Sequence, residues 1–230
     1  MDNGTKLVAC ISLLFAVTLF ITITILEQNQ NAHTPFSLAD DFEQFPKNWV
    51  IETVESGRVS RSPEQKVSGL YSAHLYSPNT TDVAGAYLPI SELKDLHVSL
   101  WFYVDYSIIP DHMYIVDLRG SDGVQSRIVV NDVNGTCNVC VLEVGNGYNP
   151  ASYSVVSSIT GNFWHKLELN VSWLGNLKVL DISVDGWNYG FYSPHDSSVM
   201  VDKLYLGDST VGGFKGSIYI DDLSIEGPFY

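Results

Sequence analysis

From Asp40 to the C-terminus, apolar and polar residues alternate. In Leu96–Asp105, the residues Leu96, Val98, Leu100, Phe102 and Val104 share one parity, and His97, Ser99, Trp101, Tyr103 and Asp105 the other. His165–Trp173 repeats the pattern, with Leu167, Leu169, Val171 and Trp173 opposed to Lys166, Glu168, Asn170 and Ser172. A period of two is the signature of a strand with one buried and one solvated face. Leu177–Val184 alternates likewise and meets Asp185-Gly186, a dipeptide suited to the positive φ angles of a tight hairpin turn. Shorter runs near Trp49–Glu55, Tyr71–Ser77, Met113–Arg119, Arg127–Asp132, Lys203–Gly207 and Ser217–Ile225 predict further strands. No stretch beyond Asp40 carries the period of an amphipathic helix. Many short strands separated by turn residues, with no linker between them, imply one all-β domain over residues 40–230: an antiparallel β-sandwich of jelly-roll type.

The last strand contains a phase slip. Ile218 and Ile220 share a face, but Leu223 and Ile225 continue on the opposite parity. A β-bulge at Asp221-Asp222 returns both apolar pairs to the core and turns at least one carboxylate toward the sheet. A buried carboxylate then needs a cation or several hydrogen-bond donors, because desolvating a lone charge is costly.

The N-terminal pattern is different. Leu7–Leu26 holds no charged side chain, and twenty residues in a helix reach across the roughly 30 Å apolar layer of a bilayer. A cleaved signal peptide is the alternative, but its apolar region is shorter and ends in small residues. Here the run is followed by Glu27-Gln28-Asn29-Gln30-Asn31-Ala32. Lys6 on the short side places residues 1–6 in the cytoplasm and everything after 26 outside. Residues 7–26 are thus expected to be a transmembrane signal-anchor helix and residues 27–39 a polar tether. The expected product is a single-pass membrane protein with an extracellular C-terminal domain.

Charge sharpens this picture. Twenty-six acids against 12 bases give a net charge of −14, and because Asp2 and Lys6 cancel, all of it falls on the exterior part. A polyanion is repelled by phosphate backbones, which argues against nucleic acid as a partner. Three Asn-x-Ser/Thr sequons, at Asn79, Asn134 and Asn170, suit an exterior, glycosylated domain. Cys137 and Cys140 stand as a lone Cys-x-x-Cys. Outside the cell, a disulfide across a tight turn is the expected reading, since zinc would need a second ligand pair and none is spaced for it.

Candidate chemistry follows from the polar parity. Sugar sites combine aromatic faces with a few fixed polar groups. Leu96–Asp105 supplies His97, Trp101 and Tyr103. If the neighbouring strands continue that face, Asp117, Arg119 and Arg127 join them, with Asn131 beside. Trp187 and Tyr189, after the Asp185-Gly186 turn, form a second possible platform. Packing beneath a loop is the alternative for the aromatics, and pairing with acids for the arginines.

The C-terminal third carries a resemblance. Phe163-Trp164-His165-Lys166-Leu167-Glu168-Leu169, then Ile182-Ser183-Val184-Asp185-Gly186, Leu204-Tyr205-Leu206-Gly207 and Phe214–Ile225 follow one another in an order similar to the concanavalin A-like lectin/glucanase superfamily, in particular its laminin G-like jelly rolls. Asp41-Phe42-Glu43 and Ser68–Leu75 resemble the opening of β-sandwich carbohydrate-binding modules. The resemblance implies a structural Ca²⁺ held by Glu43 and Asp222, with Asp41 and Asp221 as helpers. A solvated acidic strand end is the other reading of those residues.

Catalytic motifs do not appear. There is no Gly-x-Ser-x-Gly, His-Glu-x-x-His or P-loop, and the Glu-x-Asp-x-x-Glu strand of glycosidases similar to this superfamily is missing. The leading expectation is a non-catalytic, membrane-anchored protein that binds a cell-surface or extracellular glycan. The alternatives are a structural or adhesive subunit that self-assembles by strand pairing through its tether, and a divergent polysaccharide lyase or glycoside hydrolase.

Overall fold

The computed structural model of the protein describes residues 36–227, apart from 94, 121–122, 143–152, 175–176, 194–199 and 209–214. The expected anchor at 7–26 and its flanks, residues 1–6 and the start of the tether, lie outside the described residues.

Every regular element among the described residues is a strand. In chain order they are β1 (Phe36–Asp40), β2 (Val50–Val54), β3 (Arg58–Ser62), β4 (Ser72–Ser77), β5 (Val83–Leu93), β6 (Leu96–Val104), β7 (Met113–Gly120) and β8 (Gly123–Val133). Then come β9 (Thr136–Leu142), β10 (Tyr153–Ile159), β11 (Trp164–Leu174), β12 (Leu177–Val184), β13 (Trp187–Ser193), β14 (Val201–Gly207) and β15 (Gly216–Gly227). They form two antiparallel sheets. One has the order β13-β12-β11-β6-β15-β4-β3, with β1 also on β15, and the other β10-β9-β8-β7-β14-β5-β2. The expected sandwich is therefore present. The Asp185-Gly186 turn joins β12 to β13 with φ of 53° and 84°, and Asn134-Gly135 joins β8 to β9 with 56° and 80°.

The alternation sets the core. Leu96, Val98, Leu100, Phe102 and Val104 of β6 and Leu167, Leu169 and Val171 of β11 pack against Ile115, Leu118, Ile128, Val130, Leu204 and Leu206 of the other sheet. Most of these side chains are wholly buried. Each such Leu, Ile or Phe contributes about 1.5–3 kcal/mol relative to exposure.

β15 organises its sheet. Ile218 and Ile220 are in the core, the register against β6 jumps between Asp221 and Ser224, and Leu223 and Ile225 return to the core. Asp222 has a φ of 47°. This is the bulge expected from the phase slip. It also divides the other edge of β15, since β4 pairs with Gly216–Ile220 and β1 with Leu223–Gly227. Phe36–Ala39, expected to be tether, are thus strand in their own domain. Those residues are paired with β15. The sandwich begins before residue 40 because Phe36 and Leu38 have apolar neighbours to pack on.

The gap between β4 and β1 is filled by the segment from Pro63 to Tyr71, held by carboxylates. Asp221 is fully buried. Its Oδ2 accepts the Val67 and Ser68 N–H groups at 2.8 and 3.1 Å, and Oδ1 accepts the Asp222 N–H at 2.9 Å. Burial pushes the Asp221 carboxyl upward, and these N–H groups pull it back. Glu43 Oε1 accepts the N–H groups of Leu70 and Tyr71 at 2.5 and 2.9 Å, and the Ser68 hydroxyl donates to Asp222 Oδ1 at 2.7 Å. Gly69, at φ 56°, lets the backbone pass Glu43, where a Cβ would meet the carboxylate.

Replacing Asp221 with Ala leaves three backbone donors unmet, at a cost of about 3 kcal/mol. For a domain of this size that lowers Tm by roughly 6–12 °C. Thermal unfolding of Asp221→Ala within 2 °C (about 0.5 kcal/mol) of the parent sinks this assignment.

Candidate functional site

The residues expected to share one sugar-binding face divide between two. β6 belongs to the eight-stranded sheet, whereas β7 and β8 belong to the seven-stranded one. Between them the chain crosses the sandwich through Asp105–His112. Asp105 accepts the Ser107 N–H, Asp111 bridges to Lys215, and His112 has a φ of 54°. A crossover ends the parity, so Trp101 and Tyr103 lie on one outer face and Asp117, Arg119, Arg127 and Asn131 on the opposite one. His97 is at the far end of β6, about 20 Å from Tyr103 at the usual strand rise. Its Nδ1 lies 2.7 Å from Asn170 Oδ1, beside a cavity of about 540 Å³ that Phe36 and Glu226 also line. Trp187 and Tyr189 belong to β13 on the parity of Val184 and Ile182. Tyr189 packs on the core, and Trp187 is 72% exposed at the strand end.

On the seven-stranded sheet, the register aligns Tyr87, Tyr205, Asp117 and Arg127 on four neighbouring strands. Asp117 is wholly buried, and one oxygen, Oδ2, accepts three N–H groups. These are Arg119 Nε and Nη2 at 2.9 and 2.6 Å and Arg127 Nε at 3.2 Å. Burial pushes the Asp117 carboxyl up, while the Arg127 and Arg119 guanidiniums pull it back. The Arg119 guanidinium lies 4.1 Å from the Tyr205 ring centre, and Tyr205 and Tyr87 are 4.9 Å apart. Arg127 lies 4.9 Å from the Tyr114 ring. Lys203 is the cross-strand neighbour of Arg119. Three cations thus share a patch with one buried acid, Asp117, and with Glu52 near Arg119 and Tyr205. Sequence reasoning found Asp117, Arg119 and Arg127 but not Lys203, Tyr87 or Tyr205; only strand pairing brings those together.

The eight-stranded sheet carries an aromatic row. Register places His74, Tyr219, Tyr103 and Trp164 side by side on β4, β15, β6 and β11. His74 and Tyr219 stack at 4.1 Å with planes 2° apart, Tyr103 meets Tyr219 edge-on at 5.9 Å, and Trp164 lies 5.7 Å from Tyr103. Ser217 Oγ donates to Asp105 Oδ2 at 3.1 Å and lies 3.0 Å from His74 Nε2, and the Tyr219 hydroxyl donates to Glu64 at 2.8 Å. Burial lowers the His74 pKa, which the nearby Glu64 and Asp105 oppose. Trp101 is in the next row, between Lys166 and Asp221. His74, Trp164 and Tyr219 escaped sequence reasoning because they come from three distant segments.

The expected calcium ligands are engaged by the backbone. Ca²⁺ requires six to eight oxygens. The Glu43 and Asp221 oxygens engaged here receive backbone N–H groups, and the Asp41 carboxylate accepts the Glu43 N–H at 3.2 Å. Among the described residues no three His, Cys, Asp or Glu side chains are grouped to hold a metal. The donors that a buried carboxylate needs are thus provided by the loop itself.

The disulfide is corrected. Cys137 and Cys140 are free thiols on one strand, β9. Cys137 packs in the main core and Cys140 with Tyr114 and Val129 on the opposite face. Residues three apart on a strand are about 10 Å apart and point oppositely, beyond disulfide reach. Burial pushes the Cys137 thiol up to about 11. Among the sequons, Asn134 and Asn170 are exposed on a turn and a strand, and the exposed Asn79 donates its side-chain amide to Asp82 at 3.0 Å.

No known protein family and no curated protein matches the chain by sequence. Solved structures do share its fold. An endo-β-1,4-glucuronan lyase from the fungus Trichoderma reesei matches with a TM-score of 0.55 at 13% identity, covering 84% of this chain and 95% of that one. The cellulose-induced protein Cip1 matches at 0.55 and 15%, covering 82% and 96%. A sialidase matches at 0.60 and 12%, covering 83% of this chain but 18% of its own. The shared feature is a jelly-roll β-sandwich, in agreement with the concanavalin A-like resemblance.

Two outcomes follow. A thiol reagent at neutral pH leaves Cys137 and Cys140 unmodified until denaturant is added; rapid native labelling of either contradicts their burial. Tm is the same in calcium and in chelator, and a calcium-dependent rise abolished by Asp222→Ala restores the ion site.

Proposed function

We propose that the chain is a non-catalytic carbohydrate-binding protein whose sandwich is held outside the cell by the apolar segment 7–26 and carries glycans at Asn134 and Asn170. Its ligand is an acidic polysaccharide, bound on the outer face of the seven-stranded sheet. The observation that carries this reading is the convergence of Arg119 and Arg127 on Asp117, with Lys203 alongside, Tyr205 beneath the Arg119 guanidinium and Tyr87 beside Tyr205. The triad of two guanidiniums and one carboxylate keeps one positive charge and Lys203 adds another, while the Glu52 carboxylate near Arg119 and Tyr205 offsets part of it. That is a local positive patch on a chain of net charge −14. Guanidinium and ammonium groups suit carboxylates, and the half-buried Tyr87 ring suits the apolar face of a pyranose, whereas Tyr205 is buried beneath Arg119. Asp117 fixes the guanidiniums in place, which lowers the entropy cost of binding.

The neighbouring folds support a carbohydrate-related role, and one of them suggests the second reading. In the Trichoderma protein a sandwich of this shape is an endo-β-1,4-glucuronan lyase. A cluster of arginines and tyrosines facing a uronate is compatible with eliminative cleavage as well as with binding.

The test is calorimetric titration with polyuronate oligomers and neutral β-glucan oligomers. Polyuronate binds and weakens with salt, and Lys203→Ala and Tyr87→Ala each weaken it about tenfold, or 1.4 kcal/mol. Absence of polyuronate binding, or binding indifferent to both substitutions, overturns the reading. Accumulation of unsaturated, ultraviolet-absorbing uronate ends replaces it with the lyase.

A further inference from the structure

The opposite face has the reverse electrostatic character. Four rings, His74, Tyr219, Tyr103 and Trp164, run across four adjacent strands. At the usual strand spacing the row is about 14 Å long. Two carboxylates flank its His74–Tyr219 end. Glu64 is exposed and holds the Tyr219 hydroxyl, and Asp105 holds Ser217, which in turn meets His74. Neither carboxylate forms an ion pair with a Lys, Arg or His among the described residues. By contrast, Lys166, the nearest lysine along β11, is neutralised by Glu168 at 2.6 Å.

Aromatic rings with unpaired carboxylates beside them are a setting for a cation. An ammonium gains from the half-exposed Tyr103 and Trp164 ring faces and from the carboxylates together. A polyuronate is repelled by the same groups. A neutral sugar uses the rings but brings Glu64 and Asp105 no counter-charge. A sheet face with a row of rings this long suits a chain of sugars better than a small amine.

We infer that the outer face of the eight-stranded sheet, along the half-buried His74, Tyr103 and Trp164 with Tyr219 buried beneath His74 as their support, between Glu64 and Asp105, is a second glycan-binding surface that takes an amine-bearing sugar chain, such as a de-N-acetylated hexosamine polymer. It lies on the far side of the sandwich from the arginine cluster and does not depend on the acidic-ligand reading. The protein then has two surfaces of opposite preference, one for carboxylated and one for aminated sugar.

The experiment uses the full-length chain in detergent, titrated with β-1,4-linked glucosamine oligomers and with the same oligomers N-acetylated, which keep the rings but lose the charge. The amine form binds at least tenfold more tightly, and the difference shrinks as salt is raised. Glu64→Gln, at an exposed position where folding is undisturbed, lowers amine-oligomer affinity severalfold, and Trp164→Ala lowers affinity for both oligomers. Glu226→Gln, an exposed carboxylate at the other end of the sheet, has no effect and separates a specific site from the general attraction of an acidic protein. Lys203→Ala, on the opposite face, leaves amine-oligomer binding intact even if it abolishes polyuronate binding. Equal affinity for the two oligomers, no binding of the amine form, or a loss in Glu226→Gln equal to that in Glu64→Gln overturns the proposal.

Discussion

The buried carboxylate of Asp221 is the constraint around which the eight-stranded sheet is arranged. A twelve-residue strand cannot keep one parity in the core when its apolar residues change phase halfway, so β15 bulges. The bulge leaves a carboxylate beneath the Val67-Ser68 backbone, and that backbone has N–H groups needing acceptors. Each solves the other's problem. One consequence is that β4 and β1 share one edge of β15, and another is that Tyr219, two residues before the bulge, sits level with His74 and Tyr103. A slip in this register would scatter the aromatic row.

The sequence was legible where one strand face is solvated. Leu177–Val184 was expected with the bounds observed, and β6 and β11 to within a residue or two. The bulge was legible because apolar phase is a strong signal. Two strands covered on both faces were missed, although β7, also covered on both, was expected as Met113–Arg119. In β9, Cys137, Val139 and Val141 face the core while Asn138 and Cys140 are buried on the other side, so no alternation survives and a strand resembles a cysteine turn. β5 begins Val83-Ala84-Gly85-Ala86, small residues buried throughout, and hid for the same reason.

The candidate site was legible in its parts but not in its assembly. Residue type identified Trp101, Tyr103, Asp117, Arg119 and Arg127 as chemistry worth placing. Nothing in their spacing reveals that the chain crosses the sandwich between Asp105 and His112. Side chains that appeared to form one surface are therefore separated by the full thickness of the core. Nor does the sequence show that Glu43 and Asp221 hold backbone N–H groups, since a carboxylate suited to a cation and one suited to a loop are the same residue. In each case the missing information is which strands are neighbours.

β1 deserves a mechanical reading. Phe36 sits opposite Gly227, so the chain enters the sandwich along its closing strand. A pull applied at Phe36 passes through five paired residues into β15 before it reaches either outer face. Because β1 is antiparallel to β15 and lies beyond the bulge from β4, that tension loads the half of β15 after Asp222. The half that carries Tyr219 is spared. The closing strand thus receives the entering chain at one end and carries the ring of Tyr219 at the other, with the bulge between them.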